Sequence, residues 1–144
     1  MTIDQILNDK GTEIISVKSS ETLTDAAKVL DVKRIGAVVA LDDNGGIVGV
    51  LSERDIVRLM ARQGAAALTL KVGDAMTRNV ITVESSTSVD DALQLMTERR
   101  IRHLPILRDG KLSGFVSIGD LVKWKIAETE AEAEAMKSYL SAQY

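Results

Sequence analysis

Two short stretches of this chain carry the same residue types at the same spacing: Gly49-Val-Leu-Ser-Glu-Arg-Asp55 and Gly114-Phe-Val-Ser-Ile-Gly-Asp120. Their common form is Gly-x-x-Ser-x-x-Asp. In each, an apolar run that reads as a strand ends at the Ser, and a helix-forming run follows. Ser and Asp three apart then share the first turn of that helix. The free N–H groups and positive dipole end of a helix start favour an anion. A Ser hydroxyl can donate to phosphate. An Asp carboxylate can accept from vicinal hydroxyls, as on a ribose. The Gly lets the backbone come close. A purely structural role is open to the same residues. Ser52 and Ser117 are good helix N-caps, and Asp55 and Asp120 are first-turn acids that the dipole favours. Two copies in register weigh against caps alone, because a cap needs no Gly three residues earlier.

Catalysis finds little support. A Ser-His-Asp site would have to use His103, the chain's one His, and no Gly-x-Ser-x-Gly elbow is present. No Gly-x-x-x-x-Gly-Lys-Ser/Thr loop exists, since Gly110-Lys111 is followed by Leu112. Gly45, Gly46 and Gly49 do not form Gly-x-Gly-x-x-Gly, and no pair of acids stands out as an acid/base couple. The absence of Cys excludes disulfides, thiolate metal sites and Cys nucleophiles. A single His excludes a His-rich metal site, so no metal is expected. The net charge of −3 argues against a nucleic-acid partner. So does the small aromatic set of Phe115, Trp124, Tyr139 and Tyr144.

The elements that carry these turns come from the whole chain. It has 144 residues, 45% hydrophobic and 27% charged, a globular composition near the size of one ordinary domain. No apolar run approaches the ~20 residues needed to span a bilayer, and the N-terminus lacks the pattern of a signal peptide. A soluble, cytoplasmic protein with no membrane partner is expected. Setting Ile15 on Ile81, with one gap at Asn44, leaves roughly a third of the aligned pairs identical. The chain therefore reads as two copies of a unit of about 60 residues.

Each copy reads as β-α-β-β-α. Ile14 to Val17 and Val80 to Val83 are β-branched strand runs. Thr22 and Ser88 open helices with apolar positions Leu23, Ala26, Ala27, Leu30 and Val89, Ala92, Leu93, Met96. Second strands run from Ala37 to Leu41 and His103 to Leu107, and third strands from Ile47 to Leu51 and Leu112 to Val116. Between them, Asn44-Gly45 and Asp109-Gly110 supply the positive φ of primed hairpin turns. A three-stranded sheet with helices on one face leaves its other face open, and two copies packed sheet to sheet would cover it.

The expected fold class is thus α/β: two pseudo-symmetric repeats with an N-terminal and a long C-terminal helical extension. The divisions are 1–64 for the first repeat with its N-terminal segment, 65–125 for the second with its preceding linker, and 126–144 for the extension. Gly64 reads as a helix stop. From Asp120 to about Ala142 the chain has neither Gly nor Pro, which predicts a long last helix. It is either a solvated extension or a dimer contact through Trp124, Ala127, Ala131 and Leu140. In Glu98-Arg-Arg-Ile-Arg-His103, Arg99 and Arg100 complement a helix C-terminus. Arg102 and His103 open the next strand, where the first copy has Gly36 and Ala37. His103 fits a core or edge-strand role and a phosphate contact equally.

Two β-α-β-β-α units, each ending in Gly-h-h-Ser-x-x-Asp (h apolar), resemble a tandem pair of CBS domains, the Bateman module. Arg102-His-Leu-Pro-Ile106 and Asp74-Ala-Met-Thr-Arg-Asn-Val-Ile81 add to the resemblance, as does Gly49-Val-Leu-Ser-Glu-Arg-Asp-Ile56. The similarity runs from about Thr2 to Lys125. It implies a non-catalytic regulatory module that binds adenosyl ligands: AMP, ADP or ATP, and in some members NADH or S-adenosylmethionine. It implies clefts between the repeats, a disc-like homodimer and a regulated protein partner that the sequence does not identify. Ser52, Asp55, Ser117 and Asp120 correspond to the family's ribose- and phosphate-binding residues.

The same resemblance places the adenine of the Asp120 cleft against Thr12, Glu13, Ile14 and Ile15, with Ile35, Gly36 and Ala37 nearby. For the Asp55 cleft it places the adenine against Asn79, Val80 and Ile81, with Val50 in the place that Phe115 takes in the other copy. Phe115 would touch the base, and Arg102 and His103 the phosphate. The first copy has Gly36-Ala37 in place of the basic pair and Val39 in place of Pro105. The second motif has Ile118-Gly119 where the first has Glu53-Arg54. One dominant site is therefore expected, at Asp120, with Gly119 allowing close approach and Arg54 as a cation for the other cleft. The alternative is a dimerisation scaffold whose clefts are vestigial.

Overall fold

A computed structural model describes residues 1–11 and 13–143. In chain order the elements are α1 (Ile3–Lys10), β1 (Ser16–Lys18), α2 (Leu23–Lys33), β2 (Ala37–Leu41), β3 (Ile47–Ser52) and α3 (Glu53–Gln63). A 3-10 turn (Gly64–Thr69) and α4 (Val72–Ala75) follow. The second half runs β4 (Val83–Glu84), α5 (Val89–Arg99), β5 (His103–Arg108), β6 (Lys111–Ser117) and α6 (Ile118–Gln143).

These elements form two compact units, Ile14–Ile81 and Met1–Glu13 together with Thr82–Tyr144. Each holds one three-stranded sheet, in the order β1-β2-β3 or β4-β5-β6. The first strand of each sheet is parallel to the second, and the second is antiparallel to the third. The ladders even share an irregularity, a register shift at Ala40/Leu41 and at Ile106/Leu107.

The helix starts follow from their capping residues. Thr22 accepts from the Asp25 N–H and Ser88 from the Asp91 N–H, each satisfying a free donor of the first turn. The apolar stripe then turns inward: Leu23, Ala26 and Leu30 on α2, and Val89, Ala92 and Met96 on α5. Both helices end on an arginine in the left-handed region, Arg34 and Arg100. Gly64 ends α3, as expected, with φ 68°.

The hairpins differ from each other. Asp109 and Gly110 both take positive φ, 53° and 77°, as a primed two-residue turn requires. In the first hairpin only Gly45 does. Five residues, 42–46, join the strands there, and the Asp42 carboxylate closes the loop by accepting from the N–H groups of Asn44 and Gly46. The first strand of each repeat also begins later than the apolar run. Ile14 and Ile15, and Val80 to Thr82, precede β1 and β4, although β2 and β5 themselves begin at Ala37 and His103, ahead of the first paired residues Val39 and Ile106.

Each repeat is completed by the segment that precedes the other one. The Leu23 N–H donates to Leu70 O and the Val72 N–H to Glu21 O, so the 3-10 turn and α4 close the first unit. The Ile3 N–H donates to Thr87 O and the Val89 N–H to Met1 O, so α1 closes the second. Ile3, Ile6 and Leu7 of α1 are wholly or almost wholly buried, as are Leu104, Ile106, Val116 and Leu121 of the same unit. In the other unit Val17, Leu30, Val38, Leu51, Val72 and Met76 share one core. Among the described residues no helix is long and apolar enough to cross a membrane.

Candidate functional site

The second Gly-x-x-Ser-x-x-Asp turn joins β6 to α6. The Ser117 N–H donates to Asp120 Oδ2 at 2.9 Å, and the Asp120 N–H donates to Ser117 Oγ at 3.1 Å. Serine and carboxylate therefore cap the helix reciprocally. The Ile118 N–H donates to Arg102 O at 2.8 Å, which ties the residue ahead of β5 to the same turn. His103 is paired with Ser117 across the ladder, and Phe115 with Pro105. The rings of His103 and Phe115 stack, with centroids 5.6 Å apart and planes 23° from parallel. Arg102 and Gly119 are exposed, and His103, Phe115, Ser117 and Asp120 are half-buried.

A cation is already present at this turn. Lys10, the last residue of α1, donates from Nζ to Asp120 Oδ2 at 2.5 Å and to Phe115 O at 2.9 Å. Burial pushes the Asp120 carboxyl up. The hydrogen bonds from Lys10 and the Ser117 backbone, with the Lys10 charge, outweigh burial and hold it below the ordinary carboxylate value.

The first turn joins β3 to α3 in the same manner. Asp55 Oδ2 accepts from the Ser52 N–H at 3.0 Å and from Ser52 Oγ at 3.1 Å, and the Asp55 N–H donates to Ser52 Oγ at 3.2 Å. The Glu53 N–H donates to Gly36 O at 2.9 Å, the counterpart of the Ile118–Arg102 bond. Among the described residues no cation pairs with Asp55. Arg54, one residue earlier, is exposed. Beside the turn an open hollow of about 520 Å³ lies between the end of α2 and the start of α3. Ile35, Gly36, Glu53 and Ile56 are among its lining residues.

The motif glycines have a reason of their own. A Cβ on Gly49 would stand 2.5 Å from Met76 Sδ and 2.8 Å from Thr77 O. One on Gly114 would stand 2.6 Å from Leu7 Cδ2. The close approach anticipated at these positions is made by the chain itself. In each unit the completing segment seats an apolar side chain on the bare backbone of the third strand, Met76 just after α4 and Leu7 within α1.

The sequence-derived candidates fall into two groups. Phe115, Ser117, Gly119, Asp120, Arg102 and His103 gather at the second turn, and Glu13 belongs to the same unit. Val50, Ser52, Arg54, Asp55, Gly36 and Ala37 gather at the first turn, Ala37 being paired with Ser52. Thr77 bridges to Val50, which brings the segment carrying Asn79, Val80 and Ile81 to the same sheet edge. Ile14, Ile15 and Ile35 are in this unit too. Thr12 lies outside the described residues. Lys10 is the member that the sequence did not disclose. A lysine in a helix's last turn is an ordinary dipole complement, and its partner is 110 positions away. Among the described residues no group of three or more His, Cys, Asp or Glu side chains could hold a metal ion.

Comparison with known proteins finds the duplication again. The CBS domain family matches this chain twice, over residues 7–62 and 72–127. The CBS-domain containing protein ATU1752 from Agrobacterium tumefaciens has a solved structure with a TM-score of 0.83 and 38% identity, covering 85% of this chain and 91% of that one. CBSX2 in complex with AMP matches with a TM-score of 0.71 and 28% identity, over 89% of this chain and 98% of that one. The CBS domain pair of protein MJ0100 in complex with 5′-methylthioadenosine and S-adenosyl-L-methionine matches with a TM-score of 0.78 and 25% identity, over 89% and 98%.

Proposed function

The chain belongs to the CBS-domain family, as two CBS domains in tandem, and from that premise we propose that it is a non-catalytic regulatory module whose ligand is an adenine nucleotide such as AMP. The observation that carries this is the duplicated turn. Twice, a serine and an aspartate are locked together at the start of a helix, with a half-buried carboxylate at the surface. That arrangement offers a carboxylate for ribose hydroxyls beside the positive dipole end of a helix start, which favours phosphate.

At the second turn Asp120 takes the ribose and Ser117 the phosphate, and Arg102 supplies an exposed cation. The base lies by Phe115, whose ring His103 already supports. Lys10 sits on the ribose carboxylate, so a ligand there must displace or share it. At the first turn Asp55, Ser52 and Arg54 play the equivalent parts with no such competitor. Other adenosyl ligands, S-adenosylmethionine among them, meet the same ribose chemistry. The working unit is taken as a homodimer. Regulation of a partner protein follows if two conformations of the module differ in affinity for the ligand.

One observation favours a second reading, a scaffold with vestigial sites. Gly, Ser and Asp of each turn all have structural work, in capping and in seating Met76 or Leu7.

Calorimetric titration with AMP, and with GMP as control, separates the two after any copurified ligand is removed. The module is expected to bind AMP and not GMP. Asp120→Ala should weaken binding about tenfold or more, the scale of a lost hydrogen bond to a charged group. Lys10→Met should tighten it. No binding of any adenosyl ligand leaves the scaffold. Binding that is lost in Asp55→Ala and untouched in Asp120→Ala moves the site to the first turn.

A further inference from the structure

The last helix carries a pattern that its own unit does not use. Leu121 is fully buried, and Trp124, Lys125 and Glu128 are half-buried, so α6 packs inward on the face these residues share. About a quarter turn round the helix lie Val122, Ile126, Thr129, Ala133, Met136 and Leu140. Their spacing alternates four, three, four, three, four, which is the core spacing of a heptad repeat. All six are exposed: Ile126 is 54% accessible, Met136 58% and Leu140 49%. The row is about 27 Å long.

The charges beside this row choose the partner and its direction. With Ile126, Ala133 and Leu140 in the first core position, Lys125 and Glu132 flank the row on one side, and Glu130 and Lys137 on the other. In two parallel helices in register, each residue on the first side faces the residue five places further on in the partner. That sets Lys125 against Glu130 and Glu132 against Lys137, so both pairs attract. An antiparallel pair about the same row sets Lys123 against Lys137 and Glu130 against Glu130, so both repel. Lys125 also holds Asp90 of its own unit at 2.8 Å, which leaves Glu132 and Lys137 as the freer pair. The Lys137–Glu134 contact on the same helix is long, at 3.8 Å, and well exposed, and it competes little.

We infer that α6 is an interaction surface for a second copy of this chain, joined as a parallel, in-register two-stranded coiled coil along Val122–Leu140. The inference does not depend on any nucleotide. The row is shorter than free-standing coiled coils need, so the helices are held by the units that carry them.

Because the chain has no Cys, one introduced thiol gives a clean test in the full-length protein. In the parallel coil Met136→Cys places the two thiols in one core layer, within disulfide reach, whereas Ser138→Cys faces outward. Mild oxidation is expected to give a covalent dimer of Met136→Cys and not of Ser138→Cys. Failure of Met136→Cys to cross-link, or equal cross-linking of both, overturns the inference. Sedimentation equilibrium supplies a second readout. Glu132→Lys is expected to weaken the dimer several-fold, and adding Lys137→Glu is expected to restore it. A dimer indifferent to Glu132→Lys, or one that the second change weakens further, also overturns it.

Discussion

Asp120 caps the start of α6 and anchors the end of α1 through one oxygen, since the Ser117 N–H and Lys10 Nζ both reach Oδ2. The carboxyl is held below its ordinary value: burial opposes this, and the hydrogen bonds from Lys10 and Ser117 prevail. A depressed folded value means the unfolded chain takes up the proton first as pH falls. The stabilisation is thus fully present above the ordinary carboxylate range. It disappears as pH falls through the folded value, below about pH 4. Urea unfolding should show Asp120→Asn less stable than the parent at pH 7, with the gap closing below about pH 4. A gap independent of pH would mean that the ion pair contributes nothing. At this scale the Ser and Asp of the turns were readable from spacing. Lys10 was not, because only the docking of α1 brings it to Asp120.

Among the elements, α1 shows why Gly114 stands in the motif. Leu7 occupies the space a Cβ would need, as Met76 does over Gly49. Gly114→Ala should therefore cost about 1–3 kcal/mol in equilibrium unfolding, the scale of an overpacked core. Combined with Leu7→Ala it should cost less than the sum of the two, because the second change makes room for the first. Strict additivity would place Leu7 elsewhere. The long last helix divides along its length. As far as Glu128 it has buried or half-buried inward residues, and beyond that point every residue whose burial is described is exposed. Trp124, named from sequence as a dimer contact, lies on the half-buried inward side, whereas Leu140 lies on the open row.

For the whole molecule, a ligand that binds only the folded chain raises its stability by mass action. At a hundredfold excess over Kd this is about 2.7 kcal/mol. For a chain of this size that is a rise in Tm of about 5–10 °C. Thermal unfolding with AMP, ADP, ATP, NADH and S-adenosylmethionine should show such rises for the adenosyl ligands that bind and none for guanosine controls. A flat panel would favour the scaffold over the regulatory module. Because the chain carries two similar turns, a partial loss in each of Asp55→Ala and Asp120→Ala would indicate two occupied sites.

The sequence by itself determined the duplication, the β-α-β-β-α order, the helix caps and the long last helix. These rest on local rules: apolar period, a hydroxyl at a helix start, Gly at a tight turn. It also marked Ser52, Asp55, Ser117 and Asp120, since capping and anion binding draw on the same few residue types. Tertiary structure alone decided that each repeat is closed by the segment ahead of the other. It decided too that the motif glycines make room for Leu7 and Met76, and that Lys10 sits on Asp120. Each of these depends on which buried surface an apolar helix face finds. That choice is made by the fit of Ile3, Ile6 and Leu7 against residues some eighty or more positions away, and no local pattern encodes it.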